Sequence, residues 1–227
     1  LKIQSFNTKN VTNMSFMFFY CTSLPSVDLT GFNTAKVTDM GAMFKYCMLM
    51  ETIDVSKFNT ENVTNMRGMF SGCRKITTLD LSNFNTDNVT NTNTMFFSCD
   101  AITSLDLSNF KLDKVTDMAS MFFGCEEMTT IYCYYTWNCG QSESMFGYCN
   151  KLKGAVAYNE YKVDVKMANP DTGYFTKKNS TGIAKPNTAT DSQVVAIYSL
   201  DGKKLSELQK GVNIVHMSDG TTQKILQ

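Results

Sequence analysis

Four aspartates, Asp28, Asp54, Asp80 and Asp106, recur 26 residues apart. A carboxylate pair about 5 Å apart can hydrolyse a glycosidic bond, provided one member is protonated while the other is ionised. These aspartates have near-identical sequence surroundings, so nothing splits their acidities. The column predicts no catalytic residue, and the chain is expected not to be an enzyme. The 227-residue sequence has one histidine, His216, too few for a His-centred triad or a multi-His metal site. It has no glycine-rich phosphate loop, serine elbow or kinase signature, and no cofactor is implied.

The cysteines pose a second chemical question. Cys21, Cys47, Cys73, Cys99 and Cys125 keep the same 26-residue step, and Cys149 follows 24 residues later. A disulfide needs Cβ atoms about 3.8 Å apart and turned toward each other. Equivalent side chains of stacked repeats instead run parallel, about 5 Å apart. Buried free thiols acting as small apolar residues are expected. No Cys-x-x-Cys pair offers zinc a tetrahedral set. Cys133 and Cys139 depart from the ladder, and a bridge between them stays open. The remaining candidates are aromatic: Tyr132, Tyr134, Tyr135 and the one tryptophan, Trp137, lie within six residues. They read either as exposed anchors for a protein or glycan or as packing beneath a shortened repeat.

These residues need elements to position them, and the repeat supplies those elements. Val11, Val37, Val63, Val89 and Val115 share the step, as do Phe6, Phe32, Phe58, Phe84 and Phe110. Within a repeat, Leu79 and Leu81 alternate with Thr78, Asp80 and Ser82, the period of a half-buried strand. Val63, Met66, Met69, Phe70 and Cys73 are spaced 3, 3, 1 and 3, one face of a short helix that Thr64 or Asn65 would cap. One strand and one short helix per repeat predict an α/β solenoid: a curved array of β/α coils with a parallel sheet along one face. A sixth, shortened coil ends at Cys149. The residues between inward leucines form outward columns on the sheet face. There the aspartates lead to Tyr132, while Ser26, Thr52, Thr78, Ser104 and Thr130 stand beside them. Asp28, Asp54, Asp80, Asp106, Tyr132, Tyr134 and Trp137 are therefore the candidate binding residues. The Asn7, Asn33, Asn59 and Asn85 column and the Thr8, Thr34, Thr60 and Thr86 column read as structural, as does His216.

Composition sets the boundaries. Residues 1–152 hold the repeats, and 153–176 lose the period and should cap the open end. Residues 177–192, poor in apolar side chains, read as a linker. Residues 193–227 read as a small module of three or four β-strands, with Asp201-Gly202 and Asp219-Gly220 as turns. Apolar residues are 43% of the chain, enough for a core, and the net charge is +0, which gives no basic face for nucleic acid. The charge divides: residues 1–150 carry four more acids than bases and residues 151–227 four more bases than acids. No apolar run of about 18 residues predicts a membrane span.

The string Phe-Asn-Thr-x-x-Val-Thr-[Asn/Asp]-Met-x-x-Met-Phe-x-x-Cys resembles the BspA-like leucine-rich repeats of bacterial surface proteins. Met167-Ala-Asn-Pro-Asp-Thr-Gly-Tyr-Phe-Thr176 is similar to the ending such arrays carry. Residues 194–227 are similar to a short C-terminal module of secreted proteins from anaerobic bacteria. The resemblance implies a secreted or cell-surface protein used in adhesion, with extracellular or host proteins as partners. Its export signal or anchor would lie outside this stretch of sequence. The acidic sheet face suits a basic protein partner, a purely structural spacer is the runner-up reading, and glycan capture through the aromatic cluster is the third.

Overall fold

The computed structural model describes residues 3, 6–178, 194–210, 212–217 and 222–226. The chain forms two compact bodies, Leu1–Lys177 and Lys178–Gln227. In the first, successive repeats are joined in parallel: Asn13, Asp39, Asn65, Asn91, Asp117 and Gln141 pair in turn through single-residue bridges. Backbone N–H groups of each repeat donate to the next. Met14 donates to Asp39 O (2.9 Å), Phe16 to Gly41 O (3.0 Å), Phe18 to Met43 O (2.8 Å) and Tyr20 to Lys45 O (2.8 Å). The same set recurs down the array, ending with Met118 to Gln141 O and Gly124 to Gly147 O.

The N–H groups between these donors stay within their own repeat. Phe19 donates to Phe16 O (3.0 Å) and Cys21 to Phe18 O (3.2 Å). This alternation corrects the expected helix over Val63–Cys73 and its counterparts. An α-helix spends each N–H on the carbonyl four residues back, whereas here alternate N–H groups point along the stack. The backbone achieves this with left-handed residues at fixed positions: Phe16 and Tyr20 at φ 59° and 61°, Gly68 and Gly72 at 60° and 73°, Thr94 and Ser98 at 52° and 49°. Among the described residues the helical element is a single 3-10 turn, Val165–Met167.

The sheet is also shorter than expected. Strands β1 (Ser104–Asp106), β2 (Thr130–Tyr132) and β3 (Phe175–Thr176) pair in parallel in that order. Ser104 faces Thr130, Leu105 faces Ile131 and Asp106 faces Tyr132, with β3 continuing the ladder from the segment after the last repeat. Earlier on this side, the described pairing is the single bridge Ser26–Thr52. The turn ladder supplies the main-chain pairing between repeats that continuous strands were expected to supply.

The core lies between turn ladder and strand side. Phe18, Phe44, Phe70, Phe96, Phe122 and Phe146 form one column of parallel rings, with centroids 5.3, 5.8, 5.9, 5.6 and 5.5 Å apart. Burying each ring contributes about 1.5–3 kcal/mol, and stacking adds about 0.5–1.5 kcal/mol. The column ends where Tyr174 meets Phe146 edge-on at 5.3 Å. Beside it runs a hydroxyl ladder of buried threonines. Thr34 Oγ1 donates to Asn59 O (2.9 Å) and accepts from Asn59 N (2.7 Å), and Thr60 does the same with Asn85. Asn33, Asn59 and Asn85 each accept from the N–H two residues on, closing the next turn.

The second body is an antiparallel sheet in the order β5-β4-β6-β7, from β4 (Val194–Ser199), β5 (Lys204–Leu205), β6 (Val212–Met217) and β7 (Thr222–Leu226). Gly202, at φ 84°, makes the β4–β5 turn left-handed. Val215 is buried against Ile197 and Leu208. His216 Nδ1 lies 2.9 Å from Thr222 Oγ1. The expected turn at Asp219-Gly220, and the expected linker from residue 179 onward, fall outside the described residues. Among the described residues no helix is long and apolar enough to cross a membrane.

Candidate functional site

The aspartate column terminates the strand segments. Asp28 Oδ1 accepts from Thr30 N (3.0 Å) and the Thr30 hydroxyl (2.8 Å). Asp54 accepts from Ser56 N (3.0 Å), Asp80 from Ser82 N (3.0 Å) and Asp106 from Ser108 N (3.1 Å). Each is an Asx turn, in which a short carboxylate satisfies the N–H two residues on. Hydrogen bonds from the Ser56 side chain and backbone hold the Asp54 carboxyl below its ordinary value, and those from the Ser82 backbone and side chain do so for Asp80. The neighbouring aspartate pushes the other way in both cases and loses. Short-range donors therefore outweigh carboxylate repulsion, and the column has work in the fold. Asp28 and Asp54 do share a cleft of about 260 Å³ with Lys57, while Asp80 and Asp106 lie in later repeats.

The aromatic candidates separate. Tyr134 is 47% exposed and Tyr132 is half-buried in β2. Trp137 is a correction to the expected surface cluster, because it is 4% exposed. It lies 27 residues after Phe110, one residue off the 26-residue step of the strand-exit phenylalanines. Its Nε1 donates to Phe110 O (3.2 Å), and its ring lies parallel to Phe122 and edge-on to Phe175 at 4.7 Å. The shortened repeat folds this side chain into the core, so the packing alternative holds for it.

All eight cysteines are free. The thiols of Cys47, Cys73, Cys99, Cys125 and Cys149 each donate to a Phe carbonyl of the preceding repeat, at 3.0–3.2 Å. Burial pushes Cys47 and Cys149 up to about 12, and Cys73, Cys99 and Cys125 also upward. Nucleophilic chemistry needs the thiolate, so this ladder is structural. Cys133 and Cys139 donate to different carbonyls, those of Tyr135 and Gln141. Among the described residues no three His, Cys, Asp or Glu side chains converge as a metal set.

The surface with unassigned chemistry is the outer side of the turn ladder. Inward positions hardly change between repeats: Met, then Phe, then Cys, six times over. Outer positions change at nearly every step. One column reads Phe16, Ala42, Gly68, Thr94, Ser120, Ser144; another reads Phe19, Lys45, Ser71, Phe97, Phe123, Gly147; a third reads Tyr20, Tyr46, Gly72, Ser98, Gly124, Tyr148. Large rings lean onto small neighbours. A Cβ at Gly72 would meet the Tyr46 ring at 2.5 Å, and one at Gly147 the Phe123 ring at 2.7 Å.

This alternation leaves two aromatic clefts. The first, about 430 Å³, is lined by Phe16, Phe19 and Tyr46 with Asp39, Lys45 and Arg67 among its polar groups. The second, about 410 Å³, is lined by Phe123, Tyr148, Tyr158 and Tyr161 with Asn150 and Glu160. Both fall within the size range of small-ligand sites. Reading by period missed them, since their residues are those that break the period. Gly68 and Gly72 inside an apparent helix were the available signal.

The family model described as "Mycoplasma protein of unknown function, DUF285" matches residues 1–75 and 49–161, more than half of the chain. No curated protein and no solved structure matches it.

Proposed function

We propose that this chain, which belongs to the DUF285 family, is a solenoid of the leucine-rich-repeat type, resembling BspA-like surface proteins, that serves as a non-catalytic binding module. It acts at the cell surface or in the extracellular space and engages proteins or glycans of another cell. The observation that carries this reading is the contrast between repeat positions of one chain. Met-Phe-Cys inside and Asp-Ser on the strand side are nearly constant, whereas the outer turn columns switch between ring, cation, hydroxyl and glycine. A rigid repeated frame with one variable face is the arrangement that solenoids use for recognition. The sheet face, expected from the sequence as the binding strip, is the weaker candidate because its carboxylates already serve the turns.

The test is a binding screen of the whole chain against extracellular-matrix proteins and glycan arrays. The binding reading predicts at least one saturable ligand, weakened by Tyr46→Ser or Tyr148→Ser. The spacer reading predicts none. A ligand lost only on changing Asp54 and Asp80 to Asn would return the site to the sheet face.

A further inference from the structure

We propose that the cleft lined by Phe123, Tyr148, Tyr158, Tyr161 and Glu160 binds a quaternary ammonium group. The inference rests on the binding-module reading and names a ligand class for one of its surfaces.

The charge is one-sided. Glu160 is the one charged side chain lining this cleft of about 410 Å³, and no Lys or Arg does so among the described residues. An anionic ligand would meet an uncompensated carboxylate. Four aromatic side chains line it, and the electron-rich face of an aromatic ring attracts a cation within about 6 Å of its centre. A primary ammonium would surrender strong hydrogen bonds to water for one carboxylate and the neutral polar groups of Ser144, Asn150 and the tyrosines. An alkylated ammonium is weakly hydrated and offers methyl groups to the rings, so it loses least on entering. The first cleft lacks this logic, because Lys45 and Arg67 stand in it and Lys45 Nζ already lies 5.2 Å from the Tyr46 ring centre.

The site is built rather than incidental. Its outer wall, residues 158–163, is held from below by the buried Tyr174. The Tyr174 hydroxyl accepts from Asn159 N (2.8 Å) and lies 3.2 and 2.9 Å from the carbonyl oxygens of Asn159 and Lys162. Asn159 Oδ1 accepts from Tyr161 N (2.9 Å), which fixes the turn presenting Glu160 and Tyr161. Phe146 N donates to Val163 O (3.0 Å), and Tyr148 N to the Tyr158 hydroxyl (3.1 Å). The Phe123 and Tyr148 rings meet edge-on at 5.0 Å. A wall fixed before the ligand arrives spares the ordering cost of binding.

The experiment is an NMR titration of the full chain with choline chloride at constant ionic strength, with 3,3-dimethyl-1-butanol as the neutral isostere. Choline should give saturable shifts at Tyr148 and Tyr161, and the isostere should bind at least about fivefold more weakly. Tyr161→Ala should weaken choline about fivefold and Glu160→Gln about threefold. Tyr161 is 87% exposed, so its loss leaves the fold intact. Tyr20→Ala, at the other end of the array, should leave binding unchanged. Co-sedimentation with phosphatidylcholine vesicles, reversed by choline, would identify a lipid headgroup as the source. Choline shifts without sedimentation would identify a free ligand. No saturable shift, equal affinity for the isostere, or unchanged binding by Tyr161→Ala would overturn the site. If the proposal failed while the array screen gave another ligand, the binding-module reading would stand without it.

Discussion

Thr92 and Thr60 are both buried threonines, and the same substitution should move stability in opposite directions at the two. Thr92 stands where other repeats place Met40, Met66 and Met118, is 0% exposed, and its hydroxyl has no hydrogen-bond partner among the described residues. A buried unsatisfied hydroxyl costs about 1–3 kcal/mol. Thr92→Val keeps the β-branched shape and removes that cost, so a gain of about 1 kcal/mol is expected, or about 2–4 °C in Tm for a chain of this size. Thr60 Oγ1 instead donates to Asn85 O (2.9 Å) and accepts from Asn85 N (2.8 Å). Thr60→Val strips both partners and should cost about 2 kcal/mol. Urea unfolding, followed by Trp137 fluorescence and far-ultraviolet circular dichroism, reads both changes, with the denaturant slope unchanged. Equal destabilisation by the two substitutions would refute the hydroxyl-ladder reasoning.

Gly72→Ala should cost more than about 1 kcal/mol, because φ is 73° and the new Cβ would collide with the Tyr46 ring; a neutral melt would contradict the left-handed turn. Trp137→Ala should cost about 3–5 kcal/mol, and acrylamide should quench native Trp137 poorly; rapid quenching would put the indole outside the core. The thiol ladder predicts a pH dependence. The buried thiols titrate higher folded than unfolded, so their contribution is full below the ordinary value of 9.0 and is lost as pH rises toward about 12. Stability should fall steeply above pH 9, and Cys47→Ala with Cys149→Ala should flatten that fall; parallel curves would remove the thiols from it. Leu81→Asp buries a charge at a position 1% exposed and should unfold the array, so an unchanged cooperative melt would contradict the core assignment.

Periodic features were legible because identity at a fixed step forces equivalent environments. The Phe, Met and Cys columns, the Asn and Thr ladders and the register between repeats all follow from that. The helix was misread because spacings of 3, 3, 1 and 3 suit a helix face and a chain of three-residue turns equally. Only the destination of alternate N–H groups separates the two, and that lies in the neighbouring repeat. Trp137 misled through local composition. It stood among tyrosines, and its distance of 27 residues from Phe110 fell off the 26-residue step, so the period did not mark it as core. The clefts were illegible in principle to a search for period. Tyr161 and Glu160 come from the non-repeating segment, and Tyr148 is one of three tyrosines in a column shared with glycine and serine.

The central claim, that recognition belongs to the variable turn face, is tested most directly by one comparison of dissociation constants for any array ligand captured by the whole chain. Tyr46→Ser combined with Tyr148→Ser should weaken binding by about tenfold or more, as loss of aromatic anchors does. Asp54→Asn combined with Asp80→Asn should leave it within about twofold, as rim charges do. The reverse order, or a wild-type chain that captures nothing, would contradict the account.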